Sequence, residues 1–399
     1  MSENASEWLE LEQAIEILID NAPIVDDVEH IRLNAALGRI AARDINARLD
    51  NPPFDRSPLD GYALNSAFTV EPPNDFTIVG EECAGDFFDR VLGERQALRI
   101  MTGAPMPRGS DCVVRQEDVT VEGDRLTVPY TLNHRQNYCF KGEDVHRGAL
   151  LIARNTPLKA AHIGVLAAQG IAAVEVYRRP SIVIASTGDE LVDIDRPLVD
   201  GKIYNSNLYM LNARLIELGF DPIVVGIWND DADSIVDEIK RRQCDLLITT
   251  GGVSVGKKDI MHEVVKKLGA EKLFWRVAMK PGAPALAYKF EGMLGLALSG
   301  NPFAAFATFE LMSRPLLAKL SRRENVMYRR LRAELADDFN KASRGRRFIR
   351  SRLSDGRITL SNNHASGSLA SMMNCNAFVD IPAGTERLSA GMTVDVIEL

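Results

Sequence analysis

The sequence predicts a multidomain α/β protein, with a central α/β domain built on an open, parallel-rich sheet and β-rich segments on either side. Three observations carry this expectation. A chain of 399 residues is too long for one ordinary hydrophobic core. Between about residues 181 and 322, short apolar runs alternate with amphipathic helical patterns, as in strands covered by helices on both faces. Before and after that stretch, short β-rich runs are separated by Gly, Pro and Asp turns.

In chain order, Leu11, Ala14, Ile15 and Leu18 fall at i, i+3, i+4 and i+7 and predict an amphipathic helix. A second helix is expected around Ile31 to Ala42, and Asn51-Pro52-Pro53-Phe54-Asp55 reads as a linker. Residues 54 to 146 predict a small β domain, with strands such as Phe76–Gly80 and Arg125–Pro129. Ile182-Val183-Ile184-Ala185 reads as a buried parallel strand. The helix from Ser206 carries Leu208, Leu211, Leu215 and Leu218 on one face and stops at Gly219. Ile223–Val225, a helix near Ser234 to Arg242, and the strand Leu246–Ile248 continue the alternation. A long helix opens with Pro302 in its first turn. After Arg323, runs such as Phe348–Leu353 and Thr393–Glu398 predict a small β barrel or sandwich.

Composition excludes several classes. The content of 46% hydrophobic and 26% charged residues is that of a soluble globular protein, and no run of eighteen apolar residues predicts a membrane span. The start, Met1-Ser2-Glu3-Asn4, lacks the basic and apolar regions of a signal peptide. Five scattered cysteines, never spaced C-x-x-C, argue against a disulfide framework or cysteine zinc site and fit a reducing cytoplasm. A net charge of −8 argues against generic nucleic-acid binding. Yet Arg322 to Arg357 holds twelve Lys and Arg against five Asp and Glu. That stretch reads either as a solvated surface or as a positive wall for a polyanion.

Several loops could carry chemistry. Ser186-Thr187-Gly188-Asp189-Glu190 follows the first strand of the α/β region, where open sheets bind ligands. Its hydroxyls and amides suit an anion and Glu190 a metal or a general base; a plain polar turn is the alternative. Thr249-Thr250-Gly251-Gly252-Val253-Ser254-Val255-Gly256 can cradle a phosphate or an oxo group with hydroxyls and free N–H groups. It is neither a Walker A loop nor G-x-G-x-x-G. Asp230, Asp231 and Asp259 suit Mg²⁺ or helix caps. Leu298-Ser299-Gly300-Asn301-Pro302 places Gly and Asn before a helix N-terminus, an anion site, and Arg276 and Lys280 lie on and after the preceding strand. Asp55–Ala63 and Met101–Pro107 are dense in turn residues and read as turns or as sites.

The ordered set Ser-Pro-Leu-Asp60-Gly-Tyr-Ala, Met-Thr102-Gly-Ala-Pro, Gly142-Glu143-Asp144, Ser186–Glu190, Asn205-Ser-Asn207, Thr249–Gly256 and Ser299-Gly300-Asn301-Pro302 resembles the MoeA family and the E domain of gephyrin over the whole chain. The resemblance implies a helical linker domain at 1–50 and 147–180, an inserted β domain at 51–146, a molybdopterin-binding α/β domain at 181–322 and a C-terminal β barrel at 323–399. It implies a cytoplasmic homodimer whose cleft is built partly by the partner's β domain. The implied reaction takes molybdopterin-AMP and molybdate to molybdenum cofactor and AMP with Mg²⁺, downstream of an adenylyltransferase that is itself a possible partner. Carried over residue by residue, Asp60, Thr102 and Asp144 look like the β-domain side of the cleft. Glu190, Asp230 and Asp259 look like acidic, metal-handling residues, and Arg276 and Lys280 like contacts for phosphate or molybdate. Ser186, Thr187, Gly251, Gly252, Ser254, Gly300 and Asn301 would cradle substrate, Pro302 would shape the last loop, and Arg350 and Ser368 would be contributions of the C-terminal domain. Catalytic roles fall to Glu190, Asp60, Asp259 and Lys280. Two departures stand out: Ala283 where many relatives carry Lys, and Ser299 where many carry Pro. Two other classes remain open on this resemblance, an adenylyltransferase sharing the α/β fold and a non-catalytic scaffold.

Overall fold

The computed structural model describes residues 8–253 and 260–399. The chain divides into two compact units, Met1–Asp27 with Arg178–Leu399, and Val28–Tyr177.

The first unit is organised on a six-stranded sheet in the order Ile223–Trp228, Ile182–Thr187, Leu246–Thr250, Met293–Leu298, Leu286–Phe290, Glu271–Trp275. The first four strands run parallel, and the last two are antiparallel additions at one side. Alternation along each strand decides which face a residue serves. Ile182 and Ile184 join Leu246, Ile248, Leu294 and Leu296 in one core, closed by the helices Leu11–Asp20, Ser206–Glu217 and Pro302–Thr308. Val183, Ala185 and Leu247 face the other way, against Ala232–Lys240 and Ile260–Leu268. Apolar on both faces through Ile182–Ala185 and Leu246–Ile248, these strands are what a doubly covered sheet needs, and they turn polar only at their ends, Ser186-Thr187 and Thr249-Thr250. The expected helix from Ser206 ends at Glu217, and Gly219 follows with φ of +79°.

The long helix from Pro302 is interrupted by a π turn, Phe309–Ser313, before it resumes as Arg314–Ser321. The turn carries Glu310, fully buried, between Arg214 at 2.7 Å and Arg314 at 2.8 Å. A buried carboxylate is tolerated because both its oxygens meet guanidinium groups.

Beyond it, Arg329–Leu335, Arg346–Ser354, Arg357–Leu360, Ala377–Ile381 and Thr393–Glu398 close into a five-stranded barrel, which resolves the expected barrel or sandwich in favour of a barrel. Closure leaves no free edge among these strands. The two-residue strand Met279–Lys280 pairs parallel with Arg346 and Arg347, which carries the barrel to the end of the central sheet.

The second unit contains a six-stranded sheet in the order Cys112–Arg115, Gly61–Leu64, Gln96–Ile100, Asn74–Glu82, Arg125–Val128, Thr120–Glu122. Two small strand pairs and the helix Ala160–Ala168 accompany it. The helix expected around Ile31 to Ala42 is not formed. Val28–Arg32 is a strand paired antiparallel with Ala173–Tyr177, Leu33–Ala35 is a single 3₁₀ turn, and Gly38 sits at φ of +74°. The apolar spacing there is helical, but remote backbone partners, among them Val174, Ala172, Leu158 and Thr156, take many of its N–H and C=O groups. Among the described residues no helix is long and apolar enough to cross a membrane.

Candidate active site

Four parallel strands end together at Thr187, Trp228, Thr250 and Leu298, and the loops that follow them form one end of the sheet. A hydrogen-bonded layer fixes this end. Ser186 donates to Asn205 and shares a hydrogen bond with Thr250, both at 2.9 Å. Asn207 donates to the Gly300 carbonyl at 2.7 Å, and the Gly251 N–H donates to the Leu298 carbonyl at 3.0 Å. Gly251 has φ of +96°, and a Cβ there would come within 2.3 Å of the Thr187 carbonyl oxygen. The glycine is required because the loop lies directly on the preceding strand.

Over this layer opens a cavity of about 1350 Å³. Gly251, Gly252, Ser299, Gly300 and Asn301 form part of its lining, and Glu190 reaches it from the first loop. Lys280 and the departures Ala283 and Ser299 lie on it as well. So do Arg344, Arg346 and Arg347, three arginines of the basic stretch, which therefore has a face turned to the cavity. The register Lys280↔Arg347 sets two cations side by side. Arg346 is neutralised by Asp380 and Glu12. Lys280, Arg344 and Arg347 form no ion pair among the described residues, and the Arg347 Nε is buried without a hydrogen bond. Unpaired cations around a concave, glycine-lined floor raise the local concentration of anions.

Other expected site residues are placed differently. Ser186 is fully buried, with its hydroxyl held in the layer beneath the loops. Thr187 is 2% exposed, and its hydroxyl is buried without a partner beneath Gly251 and Gly252. Arg276 is outside the cavity lining; its guanidinium stacks on Trp275 at 4.0 Å and on Trp8 at 5.5 Å. Pro302 opens its helix behind the lining. Ser368 is not part of the lining, while Ser366 lines the cavity and its carbonyl accepts the Phe303 N–H at 2.9 Å. Arg350 is not a surface arginine: it is 1% exposed, and it donates to the carbonyls of Asn363 and Ala365 while stacking on Phe303 at 4.2 Å. Burial pulls its guanidinium below the usual arginine range.

In the other unit, Asp60 accepts the Thr102 N–H and hydroxyl, both at 2.7 Å, and these bonds hold its carboxyl below the usual carboxylate range. Asp144 accepts from Asn51 at 2.7 Å. Asp231 caps the helix Ala232–Lys240, as its position suggests. Asp230 and Asp189 exchange backbone-to-carboxylate hydrogen bonds at 3.2 and 3.4 Å. Ser254 and Asp259 lie outside the described residues. Among the described residues no group of three or more His, Cys, Asp or Glu is arranged to hold a metal ion. A cavity carboxylate such as Glu190 still suits Mg²⁺, which keeps several waters and takes one or two carboxylates with substrate phosphates.

Sequence reasoning missed Trp8, Glu10, Arg344, Arg346, Arg347 and Ser366 as individual positions. The charge imbalance of residues 322–357 was the available signal for the arginines. No local pattern marks Trp8, which stands just before a helix.

Comparison with known proteins agrees along the chain. Residues 9–170 match the MoeA N-terminal region (domain I and II), 183–319 a probable molybdopterin binding domain, and 332–399 the MoeA C-terminal region (domain IV). A molybdopterin molybdenumtransferase of Staphylococcus aureus is 35% identical over 377 residues, covering 92% of this chain and 90% of its own. One from Staphylococcus epidermidis is 34% identical over 378 residues, with the same coverage. A structure of the molybdopterin biosynthesis MoeA protein of Pyrococcus horikoshii superposes with a TM-score of 0.80 at 29% identity, covering 98% of this chain and 100% of its own. With the glycine loops, the basic wall and the three matched regions in this order, the chain belongs to the MoeA family.

Proposed function

We propose that this protein is a molybdopterin molybdenumtransferase, which inserts molybdate into adenylated molybdopterin and releases AMP. The observation that carries the reading is the set of unpaired cations, Lys280, Arg344 and Arg347, around a cavity floored by Gly251, Gly252 and Gly300. Molybdate and the adenylate phosphates are all anionic and repel one another. Cations preorganised in a cleft lower that repulsion before the reaction begins. Loop N–H groups at Gly252 and Gly300, both on the cavity lining, can orient oxygens, and Glu190 can hold a metal or steer water at the same face. Asp230 and Asp259 would assist Glu190, and Asp60, Thr102 and Asp144 would serve from the β domain. Mg²⁺, bound with the substrate phosphates, supplies further charge neutralisation at the phosphoryl group.

The same reading includes the division into a linker domain at 1–50 and 147–180, an inserted β domain at 51–146, an α/β domain at 181–322 and a barrel at 323–399. It also includes a cytoplasmic homodimer that receives its substrate from an adenylyltransferase. The test is incubation with molybdopterin-AMP, Mg²⁺ and molybdate while AMP is measured. AMP release that depends on molybdate, and that falls roughly 10²-fold or more in Lys280→Ala, is expected. AMP release indifferent to molybdate would overturn the assignment and favour an adenylyltransferase-like activity.

A further inference from the structure

Residues before the first helix form part of the cavity wall. The Leu9 N–H donates to the Arg276 carbonyl at 3.3 Å and the Ala278 N–H to the Leu9 carbonyl at 2.7 Å, a short parallel bridge between Leu9 and Val277. The bridge carries Trp8 to the cavity, where it is the one aromatic side chain among the described lining residues. Trp8 remains 46% exposed. Behind it, the Arg276 guanidinium lies 5.5 Å from the Trp8 ring and 4.0 Å from the Trp275 ring. Trp275 is anchored in turn by its indole N–H on the Val253 carbonyl at 3.2 Å. Arg276 adopts φ of +79°, a left-handed conformation uncommon for a side-chain-bearing residue, at the position that brings these groups together.

A large apolar ring backed by a cation and half-open to a polar cavity has one chemical use that fits the rest of the lining. Flat heteroaromatic rings stack on such a face without needing a particular hydrogen-bond pattern. Lys280 and Arg347 in the same cavity would take the anionic end of such a ligand. We propose that Trp8 is the stacking face for a planar nitrogen heterocycle of the substrate, and that Arg276 is a positioning residue that holds the indole rather than a phosphate contact. The inference rests on the functional reading above, in which the substrate carries two such rings, a pterin and an adenine, joined through phosphates.

Three probes separate the possibilities on the full-length protein: AMP, a free pterin, and inorganic pyrophosphate, which has charge but no ring. Binding by isothermal titration is compared for wild type, Trp8→Ala and Trp8→Phe, each checked for an unchanged melting curve. Trp8→Ala is expected to weaken AMP or the pterin by roughly tenfold or more, to leave pyrophosphate unchanged, and to be largely rescued in Trp8→Phe. The ring that loses affinity identifies the one that Trp8 stacks. Equal affinities of both ring probes for wild type and Trp8→Ala would overturn the proposal, as would an equal loss for pyrophosphate, which marks a structural role. If pyrophosphate binds the wild type and neither ring probe binds better, stacking fails while the anion-binding cavity stands. If pyrophosphate itself does not bind, the functional reading falls and takes the stacking role with it.

Discussion

Arg350 lies deep within the barrel-side wall, yet it governs part of the cavity surface. Its guanidinium holds the carbonyls of Asn363 and Ala365, and the next residue, Ser366, lines the cavity and caps the N-terminus of the long helix through Phe303. Arg350→Ala is therefore expected to lose stability, on the order of 2–3 kcal/mol for buried charge-assisted hydrogen bonds, together with affinity for anionic ligand. Chemical denaturation and ligand titration measure the two. Lost affinity at unchanged stability would point instead to direct contact with the ligand. Asp60 offers a second test at this scale. Its carboxyl is held below the ordinary value of 3.8 by Thr102, so the clamp is complete above that pH and is lost as pH falls through the lowered value. Thr102→Val removes the hydroxyl and should move the Asp60 titration, followed by carboxyl NMR, upward towards 3.8. An unmoved titration would show that the backbone N–H alone sets it.

The elements that build the site are strand ends and the loops after them. Their glycines are not equivalent. At Gly251 a Cβ would strike the Thr187 carbonyl at a positive φ, whereas at Gly300 the nearest heavy atom to an added Cβ is the Gly251 Cα at 3.6 Å. Gly251→Ala should cost on the order of 1–3 kcal/mol through backbone strain, and Gly300→Ala should fold with near wild-type stability. Melting curves of the two variants decide this, and equal losses would contradict the difference in packing. The loops themselves were legible from Ser-Thr-Gly-Asp-Glu, Thr-Thr-Gly-Gly and Ser-Gly-Asn-Pro, because turn chemistry is local. The segment around Ile31 was not legible. Its strand exists only because Ala173–Tyr177 supplies the ladder, and no local spacing encodes a partner so remote.

At the scale of the molecule, the two compact units carry different parts of the expected site: Asp60, Thr102 and Asp144 in one, the cavity in the other. The proposed homodimer, in which a β domain serves its partner's cleft, predicts light scattering at twice the 44.0 kDa chain mass. It also predicts restored activity when an Asp60→Asn chain is mixed with a Lys280→Ala chain. A fully active monomer would refute the shared cleft.

Local pattern was enough to identify the doubly covered parallel sheet, the β-rich flanks, the anion-competent loops and the surplus of positive charge after residue 322. Each depends on periodicity, turn residues or composition, which a chain carries wherever it folds. Tertiary structure alone decided which cations stay free. The pairing of Met279–Lys280 with Arg346–Arg347 puts Lys280 beside Arg347, Asp380 and Glu12 neutralise Arg346, and two loop carbonyls bury Arg350. Charge is written into the sequence, but the partner that cancels it, or the cavity that leaves it exposed to a ligand, depends on contacts between residues far apart in the chain.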